Sequence, residues 1–144
     1  MAQLFEERTL ELPSVIENIA AVDNLLDEII DTYRIGDEGE GSIRIALTEA
    51  VNNAISHGNR RDAEKMVRLT FRPSKKEMVF VIEDEGPGFD YDNLPDPTAP
   101  ENLEQPNGRG VFLMRNLSDE IDFDETGATV TLTFKHDVPE EVLA

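Results

Sequence analysis

Thr48-Glu49-Ala50-Val51-Asn52-Asn53-Ala54-Ile55-Ser56-His57-Gly58 reads as the back half of a helix. Ile43, Leu47, Ala50 or Val51, and Ala54 recur at three- and four-residue spacing, so they line one apolar face. Glu49 and Asn53 are four residues apart and stand one above the other beside that face. Such a pair suits two chemical jobs. An amide oxygen, together with phosphates, can hold Mg²⁺, a hard ion that prefers oxygen ligands and keeps part of its water. A carboxylate can take the proton of a hydroxyl or water that attacks a terminal phosphate. Taken alone, the pair is equally an ordinary polar pair on a solvated helix. Stretches farther along the chain decide between the two.

The rest of the chain frames that helix. Arg8 to Leu12 alternates as a first strand, and Pro13 ends it. Ser14 with Glu17 has the spacing of a capping box. Ile16, Ile19, Ala20, Leu26, Ile29, Ile30 and Tyr33 then give a helix to about Arg34, broken by Ile35-Gly36. Asp37 with Glu40 suggests a second capping box. The second helix runs to about His57, with Gly58 as its stop; a histidine there suits the negative end of the helix dipole. Val67, Leu69 and Phe71 alternate with polar residues in a strand. Pro73 to Lys76 forms a turn, and Met78 to Ile82 an apolar central strand ending near Asp84. Residues 89–107 lack a period and hold four prolines and five acidic residues, the composition of a functional lid or a disordered segment. Val111 to about Leu117 reads as a third helix, Glu120 to Asp124 as a short strand, Gly127 as a turn, and Ala128 to Phe134 as a last strand. The tail, 137–144, is acidic and expected to fray. Two long early helices and hairpin-like strands predict an α+β fold. Its expected form is a two-layer sandwich of a mostly antiparallel mixed sheet with three helices on one face.

A chain of 144 residues is expected to form a single domain, 1–144, with a real core. No run approaches a membrane span, and the first residues lack the pattern of a signal peptide. With no cysteine, disulfides and thiolate chemistry are excluded, which is compatible with the cytoplasm. The net charge of −18 repels nucleic acid. Arg60 to Lys76 is the exception, with seven basic residues against two acidic. It reads as a solvated hairpin face or as a docking patch for an acidic partner or a second copy.

Two glycine-containing motifs follow the Glu49/Asn53 pair. Asp84 ends a strand and precedes Gly86 and Gly88. Its carboxylate can accept a hydrogen bond from the exocyclic amine of adenine, while the glycines let backbone approach a flat ring. Gly108-x-Gly110 opens a helix, where free N–H groups and the positive dipole end bind phosphate. Arg109 adds a charge there. Either motif alone is weak.

Order and spacing together are specific. Glu49-x-x-x-Asn53, Asp84-x-Gly86-x-Gly88 and Gly108-x-Gly110 resemble the N box and the two glycine boxes of the GHKL (Bergerat-fold) ATPase superfamily. The finer match is to its bacterial anti-sigma-factor serine/threonine kinase branch. It rests on Glu49-Ala50-Val51-x-Asn53-Ala54-x-x-His57-Gly58, Asp84-Glu85-Gly86-x-Gly88 and Gly108-Arg109-Gly110-Val111-x-Leu113-Met114. Full-length gyrase and MutL are excluded by size. Histidine kinase ATPase domains normally lack the first glutamate.

The resemblance implies ATP and Mg²⁺ as cofactors, with Asn53 on the metal. It implies Glu49 as the base that activates the attacking serine, Asp84 as the adenine contact, and Gly86, Gly88, Gly108 and Gly110 around base and phosphates. It also implies homodimers, a sigma factor held by one surface, and a STAS-type anti-anti-sigma protein as phosphoryl acceptor. An arginine often found before the second glycine box is replaced here by Gln105-Pro106-Asn107, and Arg109 is placed to substitute for it. Two alternatives share the fold: a switch kinase that regulates a phosphatase, and a non-catalytic module that holds ATP. Intact Glu49 argues against the second.

Overall fold

Alternating side chains build a five-stranded sheet. The computed structural model of the protein describes residues 2–87 and 106–143. In it β1 (Arg8–Pro13), β2 (Met66–Pro73), β3 (Glu77–Glu83), β4 (Glu120–Phe123) and β5 (Thr129–Lys135) lie in the order β1-β2-β3-β5-β4. Every pairing among them is antiparallel, so the parallel component that a mixed sheet would have is not seen among the described residues. The helices are α1 (Ile19–Tyr33), α2 (Asp37–Asn53), α3 (Pro106–Leu117) and the short α4 (Glu140–Leu143).

Register explains where the core sits. Leu69 faces Ile82, Phe71 faces Phe80, and Phe80 faces Leu132 across the ladder. Side chains alternate along a strand, so these positions share one face. They meet Leu26 and Ile29 of α1 and Leu47 and Val51 of α2 in one buried cluster. Arg68, Thr70, Arg72, Val79 and Thr131 alternate with them and occupy the other face. Aromatic rings run through the core from Tyr33 to Phe71, Phe80 and Phe134, with centroids 5.8, 5.1 and 5.9 Å apart. Such tilted and edge-on contacts are the favoured aromatic geometry.

Several local expectations are corrected. Ser14 does not cap α1. It is fully buried, and its hydroxyl donates to the Lys65 carbonyl at 2.6 Å. A 3-10 turn, Ile16–Asn18, intervenes, and α1 starts at Ile19 without a side-chain cap. Likewise Asp37 is the first residue of α2, and Gly36 precedes it without a side-chain bond. Glu40 turns instead to Arg44, one helical turn on, at 3.2 Å. Arg34 ends α1 in the left-handed region, with φ 57°.

Regular α-helix ends at Asn53 and continues as a π-helical turn, Ala54–Gly58, with Asn59 after it. The helical segment thus stops at Gly58 as expected, although its last turn is π-helical. α3 begins at Pro106, so Gly108 and Gly110 lie inside its first turns rather than before it. The rest of the expected lid, together with Gly88, lies outside the described residues. The tail does not simply fray: Val138 is buried and α4 follows it.

The basic stretch resolves in part. Arg68 pairs with Glu11, Arg72 with Glu7 and Lys76 with Asp137, all at the surface. These pairs fit the solvated-face reading and contribute little to stability.

Phe80 touches both neighbouring rings and is fully buried. Phe80→Ala is expected to lower the unfolding free energy by about 3–5 kcal/mol, the loss typical of a large ring deleted from a packed core. Urea unfolding followed by circular dichroism measures it.

Candidate nucleotide-binding site

The end of α2 and the end of β3 meet over one slot. The cavity has a volume of about 350 Å³, within the usual size of a small-molecule site. Its apolar lining comes from Ala50 and Ala54, from Ile82 and Val130 of the sheet, and from Met114 of α3. Asn53 and Asp84 supply polar groups, and His57, Gly58, Arg60, Pro87, Phe123, Gly127 and Ala128 complete the wall. An apolar slot with a few convergent polar groups suits a flat heterocycle that carries a polar tail.

One end gathers Asn53, Glu49 and Gly110. A β-carbon added to Gly110 would stand 2.7 Å from Asn53 Nδ2, 3.2 Å from Asn53 Oδ1 and 3.2 Å from Glu49 Oε2. The amide and the carboxylate therefore converge on one point of the α3 backbone. Only glycine leaves that point open. Asn53 Oδ1 is buried and has no hydrogen-bond partner among the described residues. Buried polar atoms are rarely left so, and an orphan asks for a missing ligand. A Mg²⁺ ion held by one protein oxygen, water and phosphates fits it. Arg109 is exposed in the first turns of α3. Gly108 lies in the same turn, where free backbone N–H groups favour anions.

The other end is built on a close approach of backbone to carboxylate. A β-carbon on Gly58 would lie 2.3 Å from Asp84 Oδ2, and one on Gly86 would lie 2.0 Å from the Gly58 carbonyl oxygen. Gly58 and Gly86 are thus required by contact, not by a turn. The Gly86 N–H donates to Asp84 Oδ1 at 2.8 Å. The Asp84 N–H donates to the Ala128 carbonyl at 3.0 Å. That carbonyl is held by a hairpin in which Asp124 Oδ1 accepts from Thr126 Oγ1 at 3.0 Å and from the Gly127 N–H at 2.7 Å. Gly127 sits there at φ 86°, a conformation that favours glycine.

Electrostatics distinguish two of these groups. Burial pushes the Asp84 carboxyl above its ordinary pKa; the Gly86 N–H opposes this, and the charge of Asp124 adds to it. Burial and then Arg61 hold His57 below the ordinary histidine range. His57 lies in the last helical turn, where the sequence placed it.

The sequence-predicted residues thus fall into two groups, Glu49–Asn53–Gly110 and Asp84–Gly86, each joined to the slot through one lining residue, Asn53 or Asp84. Of these, Asn53 and Asp84 line the cavity, while Glu49, Gly86, Arg109 and Gly110 stand outside its wall. Sequence reasoning missed Phe123, Gly127, Ala128 and Val130. The Asp124-x-x-Gly127 turn was the one available signal for them.

Because the folded pKa of Asp84 is raised, its contribution favours the fold below the unfolded carboxylate range. That contribution is lost as pH rises through the raised value. At neutral pH the charge therefore works against the fold. Asp84→Asn is expected to raise the melting temperature of the nucleotide-free protein at pH 7, and to change it little near pH 3. Thermal melts across pH check this.

Comparison with known proteins agrees with the geometry. A family model described as "Histidine kinase-like ATPase domain" matches residues 12–134, which contain both ends of the slot. The chain is similar to a "Serine-protein kinase RsbW" of Bacillus cereus (strain AH820), 24% identical over 140 residues that cover 92% of the chain and 87% of the relative. It is also similar to a protein of the same description from Staphylococcus epidermidis, 28% identical over 131 residues, covering 85% and 82%. With the family match running from the last core residue of β1 through β5, the chain belongs to the histidine kinase-like ATPase domain family.

Proposed function

We propose that the protein is an ATP-dependent serine protein kinase of the anti-sigma type. It would phosphorylate a STAS-type antagonist and hold a sigma factor, as a homodimer in the cytoplasm. The observation that carries the reading is the convergence on Gly110 of Glu49 and of Asn53 Oδ1, which has no partner among the described residues, beside a slot that Asn53 and Asp84 both line. The relatives' description, serine-protein kinase, supports the reaction class.

The roles follow from position. Adenine would enter the apolar slot and give its exocyclic amine to the Asp84 carboxylate. Phosphates would then extend toward the first turn of α3, with the Gly108 and Arg109 backbone and the Arg109 charge nearby. Asn53 would hold Mg²⁺, which neutralises phosphate charge when bound. Glu49 would accept the proton of the acceptor serine as its oxygen bonds to the terminal phosphorus. The bond from that phosphorus to the bridging oxygen breaks, and ADP leaves. Gly110 keeps the space between Glu49 and Asn53 open.

Three substitutions test the assignment. Glu49→Gln keeps the shape and removes the base, so ATP affinity should hold while transfer slows about 10²–10⁴-fold. Radiolabel transfer to a candidate STAS protein reads this; a normal rate would remove Glu49 from the role. Asn53→Ala should instead weaken Mg²⁺-ATP binding itself. Gly110→Ala should leave the melting temperature nearly unchanged, because the Asn53 amide can swing aside. It should still weaken Mg²⁺-ATP, because the displaced amide no longer faces the phosphates; calorimetry measures both.

A further inference from the structure

We propose that Asn59 is a positioning residue that sets purine specificity from outside the slot, by fixing the Gly58 backbone against the Asp84–Gly86 turn. The inference rests on the reading of Asp84 as the purine contact.

Asn59 follows the π-turn directly and is 1% exposed. Its amide is used at both ends. Nδ2 donates to Ser14 Oγ at 2.8 Å and to the Met66 carbonyl at 3.0 Å, and Oδ1 accepts from the Glu85 N–H at 2.7 Å. Its backbone N–H donates to the Ala54 carbonyl at 2.8 Å, and its carbonyl accepts from the Asp62 N–H at 3.0 Å. One buried side chain therefore joins the end of α2, the start of β2, the turn after β1, and the residue between Asp84 and Gly86. A fully satisfied buried amide of this kind rigidifies what it joins.

The chain beyond it is held in an unusual conformation. Arg60 and Arg61, the central residues of the turn closed by the Asp62–Asn59 bond, have φ of 53° and 57°. Residues with a β-carbon resist that region. Such outliers persist where their surroundings over-determine them, and Asn59 anchors the start of this turn. Arg60 then lines the slot.

Gly58 has no slack, because even an added β-carbon would overlap Asp84. A small drift of the Gly58 backbone would change which edge of a purine the carboxylate meets. None of the Asn59 hydrogen bonds reaches Glu49, Asn53 or Gly110. Its loss should therefore weaken base discrimination while sparing the phosphate end.

The test compares Mg²⁺-ATP and Mg²⁺-GTP by calorimetry on the full chain, with Mg²⁺-tripolyphosphate as a probe of the phosphate end. Asn59→Ala is set beside Leu25→Ala, a core variant on α1 that lines no part of the slot and lowers stability by other means. Asn59→Ala should cut the ATP:GTP preference by about tenfold, the worth of one hydrogen bond to a charged group. Tripolyphosphate affinity should stay unchanged, and Leu25→Ala should keep the preference. A preference retained in Asn59→Ala, or lost equally in Leu25→Ala, overturns the proposal alone. Equal affinity of the wild type for ATP and GTP overturns the purine reading of Asp84 together with it. If Asn59→Ala does not fold, hydrogen exchange on the wild type decides: a slowly exchanging Glu85 amide in the nucleotide-free chain supports the proposal. Exchange at the rate of an open loop overturns it.

Discussion

The contact between the Gly58 backbone and the Asp84 carboxylate is the constraint on which the rest depends. The two groups come from different layers: one closes the α2 segment, the other ends β3 of the sheet. They can approach only because neither Gly58 nor Gly86 carries a β-carbon. Everything around the contact serves to hold it. β3 is the middle strand and is paired on both sides, so Asp84 starts from a rigid base. The β4–β5 hairpin fixes the Asp84 backbone through Ala128. Burial around the carboxyl raises its pKa.

α2 works as a ruler between the two ends of the slot. Glu49 and Asn53 project from it one turn apart, and the π-turn begins immediately after Asn53. π-turns are rare and concentrate at functional sites. Here the wider turn brings Ser56, His57 and Gly58 onto the slot wall. α3 lies along α2 and places Gly110 between the two N-box side chains. The spacing between Asn53 and Gly58 is thus set by helix geometry and core packing, with Leu47, Ala50 and Val51 buried on the same helix.

Charge poses a problem that the site answers locally. A chain of net charge −18 would repel a triphosphate at long range. The N-terminus of α3 is the positive end of its dipole, and Arg109 is exposed in its first turns. Asn53 presents a neutral oxygen rather than a second carboxylate, which suits a metal already carrying phosphate charge. On the proposed reading, the half-buried Asp84 would face the uncharged base. On that reading, negative groups of the protein and of the nucleotide would be kept apart within one slot.

By itself, the sequence determined the sheet and the two long helices, because side-chain periodicity follows directly from backbone geometry. It also determined the candidate chemistry, because Glu49-x-x-x-Asn53 and the two glycine motifs have meaning at short range. The capping boxes at Ser14 and Asp37 were misread for the same reason. A cap is a local pattern, and tertiary contacts overrode it: Ser14 is buried against Lys65 and Asn59, and Glu40 is held by Arg44. Only the tertiary structure decided why Gly58, Gly86 and Gly110 must be glycine, since their crowding partners lie 26, 28 and 57 or more residues away in the chain. It alone assigned Asn59, whose amide joins segments that periodicity cannot relate. Contacts between layers depend on how packed elements meet in space, and no local spacing in the chain encodes that.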